Sequence, residues 1–376
     1  MLDKTMSDID SWRARTVTAR AWLAGEYAYE WASRVAEQGP SFVLRLAAHN
    51  PEDAYVVREV FSPSFRTLAA MTHGRLRIEP VWEGSSHALP EGWAALRERK
   101  VEMTACYSSR SPELGFKLVQ GLTLPGLFDS AALGTLTAEL LHRRYLKPEY
   151  DRQGVRLGRF KATGQDVIFT REPIEKKEDM VGLRIYAGGG WHGAIYREMG
   201  ATVVPLYSPQ VREALRAGEI DAAAMTDGSA QVFGVDTVAR FRLDSGLGRQ
   251  NLEYCLAPDA YDELPGDLQA ALSAWLCGLG QAECQVFYGL GGAHARAAFA
   301  ANGMQTTVLD EDERQRWQQP IQRLRERYVA EMEAEGLPGR QFMDDLLGIV
   351  DRFSSADENQ LMQRAIYAPV PALNQA

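Results

Sequence analysis

The sequence predicts an α/β protein of two similar lobes facing one cleft, and three observations carry that reading. A chain of 376 residues is long enough for two domains. From Ser41 onward, apolar runs of strand length alternate with amphipathic runs of helix length. Two stretches also repeat one plan: "WAALRERKVEMTACYSS" (93–109) and "VREALRAGEIDAAAMTDG" (211–228) each run helix, Leu-Arg, short turn, then a small-residue strand ending in hydroxyl or acid. Strands that end so open onto a cleft, because ligand groups collect on loops held by a rigid sheet.

The first lobe is placed at 41–165. "SFVLRLAAHN" is a buried strand, "AYVVREVFSPSFRTLAAMTHG" a helix closed by Gly74, "RLRIEPVW" a strand, "LPEGWAALRER" a helix and "KVEMTACYSS" a strand. The second, 166–254, repeats the order with "VGLRIYAGGG", "WHGAIYREMG", "ATVVPLY", "SPQVREALRAG" and "EIDAAAMTDG". Residues 255–350 are assigned to the first lobe and include a long helical pattern up to Gly303. Its glycines at 278, 280, 289, 291 and 292 predict kinks or a break near Gly289. "GLGGAH" follows no strand and lacks the P-loop lysine, so it is no phosphate loop. Asp310, Glu311 and Asp312 open a charged amphipathic helix, and 351–376 are read as a helix end and tail.

A net charge of -9 without any basic block of five argues against nucleic acid as a partner. The four cysteines show no metal spacing and read as buried free thiols; neither a metal nor a cofactor is expected. Residues 1–40 form an N-terminal amphipathic extension with an aromatic stripe: Trp12, Val17, Trp22, Leu23, Tyr27, Trp31 and Val35. The stripe suits docking on the main body, or contact with a dimer mate or protein partner. Arg13, Arg15, Arg20, Glu26, Glu30 and Arg34 interrupt it, so it lacks the apolar core of an export signal. That pattern points to the cytoplasm, or to the periplasm if the start is misassigned.

Six stretches in order resemble the solute receptors of TRAP transporters, the DctP-type binding proteins. They are "LRLAAHNPED", "HGRLRIEPVW", "LTLPGLFDS", "REPIEKKEDMVGLRIYAG", "LYSPQVREALRAGEIDAAA" and "YDELPGDLQAAL", spread over residues 41 to 350. The resemblance implies a two-lobed periplasmic-binding-protein-like fold with hinges and a long spanning helix. It also implies a small polar metabolite as ligand and, if the chain is exported, TRAP membrane subunits as partners. In that family an Arg at the end of the "GlKiRv" strand pins the ligand carboxylate, as its planar fork suits it to do. Tyr186 stands at that position. The family's second ligand-facing Arg falls on Gln165 or Asp166, and its Asn on Met225. A carboxylate would therefore need other donors, with Arg110 and Arg184 as substitutes.

Candidate ligand-binding residues follow from strand ends and turns. In the first lobe they are His49, Asn50, Glu83, Ser85, Ser108 and Ser109. In the hinge and second lobe they are Gln165, Tyr186, Gly189, Gly190, Trp191, His192, Met225 and Asp227. The "GGG" turn frees amides for an anion ahead of a helix. A second reading makes the cleft an enzyme's, with His192 and Asp227 as acid/base pair and Tyr186 orienting the substrate for an elimination or cyclisation.

Overall fold

A computed structural model describes residues 2–27 and 32–370. Eleven strands are formed among them: β1 (Phe42–Ala47), β2 (Leu76–Val81), β3 (Met103–Ala105), β4 (Arg156–Ala162), β5 (Val167–Thr170), β6 (Arg184–Tyr186), β7 (Thr202–Val204), β8 (Ala222–Met225), β9 (Phe241–Asp244), β10 (Asn251–Leu256) and β11 (Gln305–Val308). They make two sheets, ordered β2-β1-β3-β10-β4 and β11-β9-β5-β8-β6-β7. In each, a parallel trio (β2-β1-β3, β7-β6-β8) meets an antiparallel strand, β10 or β5. The repeat seen in the sequence is thus a repeat of topology. Two stretches stand opposite to their sequence assignment. Asn251–Tyr254 opens β10 of the first sheet, and Gln305–Val308 pairs with β9 in the second. In both, the sheet that a strand joins is decided by a crossing that local pattern does not mark.

The chain crosses between sheets after β4 and after β9. The two crossings are tied together, Thr163 N donating to Gln250 O (2.8 Å) and Asp166 N to Gly248 O (3.0 Å). Paired crossing segments of this kind form a hinge. The third crossing is the long helix: α-helical over Gly266–Ala282, wide-turned (π) over Glu283–Gly291, and α-helical again over Gly292–Ala301. The irregularity expected near Gly289 is therefore a wide-turned stretch within a continuous helix.

Its glycines are explained by what lies on them. A side-chain carbon added at Gly289 would stand 2.2 Å from the Trp12 ring, and one at Gly278 2.6 Å from the Trp22 ring. The N-terminal extension is two helices, Leu2–Arg15 and Val17–Leu23, turning at Gly25 with φ 78°. Trp12 and Trp22 are thus spent on the chain's own spanning helix, and Tyr27 packs edge-on against Tyr367. Val17 is exposed, and Trp31 lies outside the described residues. The end of the chain joins this addition. Glu358–Tyr367 is a separate helix with a reciprocal cap, Gln360 N to Asp357 Oδ1 (2.8 Å) and Asp357 N to Gln360 Oε1 (3.0 Å), where a helix end and tail were expected. Arg15 pairs with Glu358, and Asp8 with Arg296 of the spanning helix. Trp22 is fully buried. Trp22→Ala is expected to cost about 3–5 kcal/mol, seen as a lower urea midpoint with unchanged slope. All four cysteines are buried and free.

Candidate functional site

A cavity lies between the sheets, lined from both lobes. His49 and Asn50 follow β1, Tyr107 and Arg110 follow β3, and Tyr186 and Met225 end β6 and β8. Lys161, Gln250 and Tyr254 come from β4, β10 and the adjoining hinge, and Glu283, Phe287 and Tyr288 from the spanning helix. The walls are aromatic and the floor carries charge.

Arg110 is the group that distinguishes the cavity. It ends a short 3-10 turn, Ser108–Arg110, and reaches across to the other lobe. Nη1 donates to Leu206 O (2.7 Å) and Nη2 to the Tyr186 hydroxyl (2.8 Å), itself 2.9 Å from Ser208 Oγ. The guanidinium lies 5.3 Å from the ring centre of Tyr186 and 5.8 Å from that of Tyr207. Its Nε is buried without a partner, and among the described residues no carboxylate pairs with it. Unpaired buried charge is expensive, so this cation is poised for an anion. Arg110 thus places a positive charge on the Tyr186 hydroxyl, beside the position where the sequence carries none. Arg184, the other substitute, is spent on Asp221 in an exposed pair (2.6 Å).

The floor is a triad. Glu283 accepts from Arg159 (2.5 Å) and from Lys161. Burial raises the Glu283 carboxyl, but the two cations more than offset it and it sits below the usual range. Burial lowers Lys161. Two cations on one anion leave the floor net positive. His49, whose Nε2 is 3.0 Å from His87 O, is lowered by burial and adds no charge.

The other candidates are placed elsewhere. Gly189 packs against the opposite lobe so closely that an added side-chain carbon would stand 1.8 Å from Ser109 O. Gly190, at φ 61°, abuts Gln120, and Trp191 N donates to Thr123 Oγ1 (2.9 Å). The glycine turn is a lobe-to-lobe contact in this closed arrangement, and the Trp191 amide is already used. Trp191 itself packs on Tyr328, ring centres 5.7 Å apart, beneath Arg327. Ser109 Oγ is buried and unpartnered, while Ser108 is bonded to Glu253. Gln165 Nε2 donates to Gly248 O (3.1 Å) within the hinge and faces a second cavity behind it, with Trp12. Glu83 and Ser85 are exposed in the turn after β2, outside the cavity lining.

His192 and Asp227 do not meet as an acid/base pair. His192 is 0% exposed, its Nε2 3.1 Å from Asp166 Oδ2 but out of hydrogen-bond geometry, and that oxygen accepts from Gln250 Nε2 (2.9 Å). Asp227 accepts from Arg242 (2.6 and 2.9 Å) and Arg296 (3.0 Å), fixing the start of the Asp227–Val232 helix to β9 and the spanning helix. Both are inward-facing residues that local pattern does not separate from cleft residues. The aromatic walls and Lys161 were missed. Lys161 is the penultimate residue of β4, inside the strand rather than in the loop past it, and Tyr107, Tyr254, Phe287 and Tyr288 read as ordinary core positions.

The bacterial extracellular solute-binding protein family 7 (DctP) model matches residues 48–332. No curated protein matches the sequence. Among solved structures, a TRAP solute-binding protein from Rhodoferax ferrireducens, in complex with copurified benzoate, is 17% identical with a TM-score of 0.77, covering 84% of this chain and 99% of its own. A marine metagenome TRAP solute-binding protein specific for aromatic acids, with 3-hydroxybenzoate, is 16% identical with a TM-score of 0.77, covering 84% and 100%. A Bordetella pertussis extracytoplasmic solute receptor binding pyroglutamic acid is 16% identical with a TM-score of 0.70, covering 81% and 99%. The family is one of extracellular proteins, and the expectation of cytoplasmic residence finds no support in it. No described helix is long and apolar enough to cross a membrane. With two lobes, a hinge, a spanning helix and a match over most of its length, the chain belongs to the DctP family of solute-binding proteins.

Proposed function

We propose that this chain captures a small carboxylic acid bearing a planar, preferably aromatic, ring in the interlobe cleft and hands it to TRAP membrane subunits. The observation that carries the reading is Arg110: a buried guanidinium at the cleft with an unpartnered Nε and no acidic partner among the described residues, beside Tyr107, Tyr186 and Tyr207. A ligand carboxylate supplies the missing charge, and the rings supply flat contact area. The fold relatives that bind benzoate and 3-hydroxybenzoate favour the same class. No dimer through the N-terminal helix is proposed, since Trp12 and Trp22 are engaged within the chain.

Calorimetric titration with benzoate, 3-hydroxybenzoate and pyroglutamate, with benzyl alcohol as the uncharged control, tests this. At least one acid is expected to bind with a Kd of about 10 μM or below, the alcohol not measurably. Absence of binding by every acid, or equal binding of the alcohol, overturns the reading.

A further inference from the structure

Glu253 lies in the middle of β10, nearly inaccessible to solvent, and enters no ion pair among the described residues. Its carboxylate accepts from Ser108 N (3.3 Å), from Ser108 Oγ and from the Tyr150 hydroxyl (3.0 Å). Ser108 opens the turn that ends at Arg110, with one residue between them. The carbonyl of Ser108 accepts from Gln120 Nε2 (2.9 Å), and Cys106 N donates to Glu253 O (3.0 Å), so the approach to the turn is pinned to β10 as well. At its other end the turn is held by the cross-lobe bonds of Arg110.

We propose that Glu253 is a positioning residue for the ligand-binding arginine: its buried carboxylate fixes the Ser108–Arg110 turn so that the guanidinium faces the cleft, and ligand affinity follows the ionisation of Glu253. The affinity part rests on the carboxylate-binding role of Arg110 given above. The ionised carboxylate accepts all three bonds, and protonation turns one of its oxygens into a donor and weakens the hold. Burial raises this carboxyl to about 7, against the hydrogen bonds from Ser108 and Tyr150. The groups facing it are Tyr150 on its helix, Tyr107 and Cys106 at the end of β3, and Cys255 on its own strand; Glu149 and His142 lie behind Tyr150. Burial holds Tyr107, Tyr150 and Cys255 far above neutrality, so they stay uncharged there.

The sign separates positioning from mere stability. The folded value of about 7 lies above the ordinary 4.5, so this group's contribution to stability falls as pH rises from about 4.5 to 7. Ligand affinity moves the other way, rising as Glu253 ionises.

The experiment measures 3-hydroxybenzoate affinity at pH 6 and 8, with hydrogen exchange of the ligand-free amides 108–110, for wild type, Glu253→Gln and Ser108→Ala. Wild type is expected to bind about 5- to 10-fold tighter at pH 8 and to exchange more slowly there after correction for intrinsic rates. Glu253→Gln is expected to bind about 10-fold more weakly at pH 8, to lose the pH slope and to exchange faster at 108–110, with its melt still cooperative. Ser108→Ala, which keeps the carboxylate, is expected to weaken binding likewise should the first variant not fold. An unchanged pH slope, or unchanged exchange in both variants, overturns the proposal. If wild type binds no aromatic acid, the ligand class fails, and the exchange measurements alone decide whether Glu253 holds the turn.

Discussion

Arg110→Met is expected to lower affinity for an aromatic acid by about 30- to 1000-fold while leaving the ligand-free protein as stable as wild type or more so. A buried charge-assisted contact is worth about 2–4 kcal/mol, and each 1.4 kcal/mol is a factor of ten. The stability arm follows from the same burial. With no carboxylate partner among the described residues, Arg110 forms no ion pair that the ligand-free protein would lose, and methionine of similar length removes the cost of burying its charge wherever the lobes close. Against this stand the lost bonds to Leu206 O and Tyr186. Arg110→Lys keeps the charge but loses the fork, and should bind with intermediate affinity. Calorimetry and thermal melts in the absence of ligand read both arms. A large loss of ligand-free stability would make Arg110 a structural latch instead.

Gly189→Ala is expected to weaken ligand binding by about 5- to 150-fold through closure alone. At φ -70° and ψ -176° the backbone accepts alanine without strain, so the effect is one of contact. The added carbon meets Ser109 O at 1.8 Å, backbone against backbone, and neither side can yield by turning a side chain. Overpacking of this kind costs about 1–3 kcal/mol. The cost falls on the closed arrangement only, because Gly189 and Ser109 belong to different lobes. A ligand that binds the closed form then spends part of its binding energy on closing. Small-angle scattering with and without ligand should show wild type compacting and the variant compacting less, with melting temperatures of the empty proteins alike.

Much of the fold was legible because the repeat from helix through Leu-Arg to a small-residue strand fixes the local order of both lobes. Which sheet Asn251–Tyr254 and Gln305–Val308 join was not legible, since that depends on crossings between lobes. The lining of the interlobe cavity was legible where it depends on strand ends, at His49, Asn50, Tyr186 and Met225. It was hidden where a buried residue faces inward for another reason. Nothing in the spacing of His192 and Asp227 shows that Asp166, Arg242 and Arg296 claim them. The glycine turn 188–190 carries the sequence mark of an anion site and the geometry of a lobe contact, two uses of the same lack of side chains. Gly278 and Gly289 likewise read as helix defects until the Trp22 and Trp12 rings are placed on them.

The most direct test is a crystal structure grown with 3-hydroxybenzoate. The account predicts the carboxylate on Arg110, taking the free Nε, with the ring between Tyr107 and Tyr254 and the lobes closed at Gly189. A carboxylate held by other residues, or a ligand outside the interlobe cleft, would contradict it.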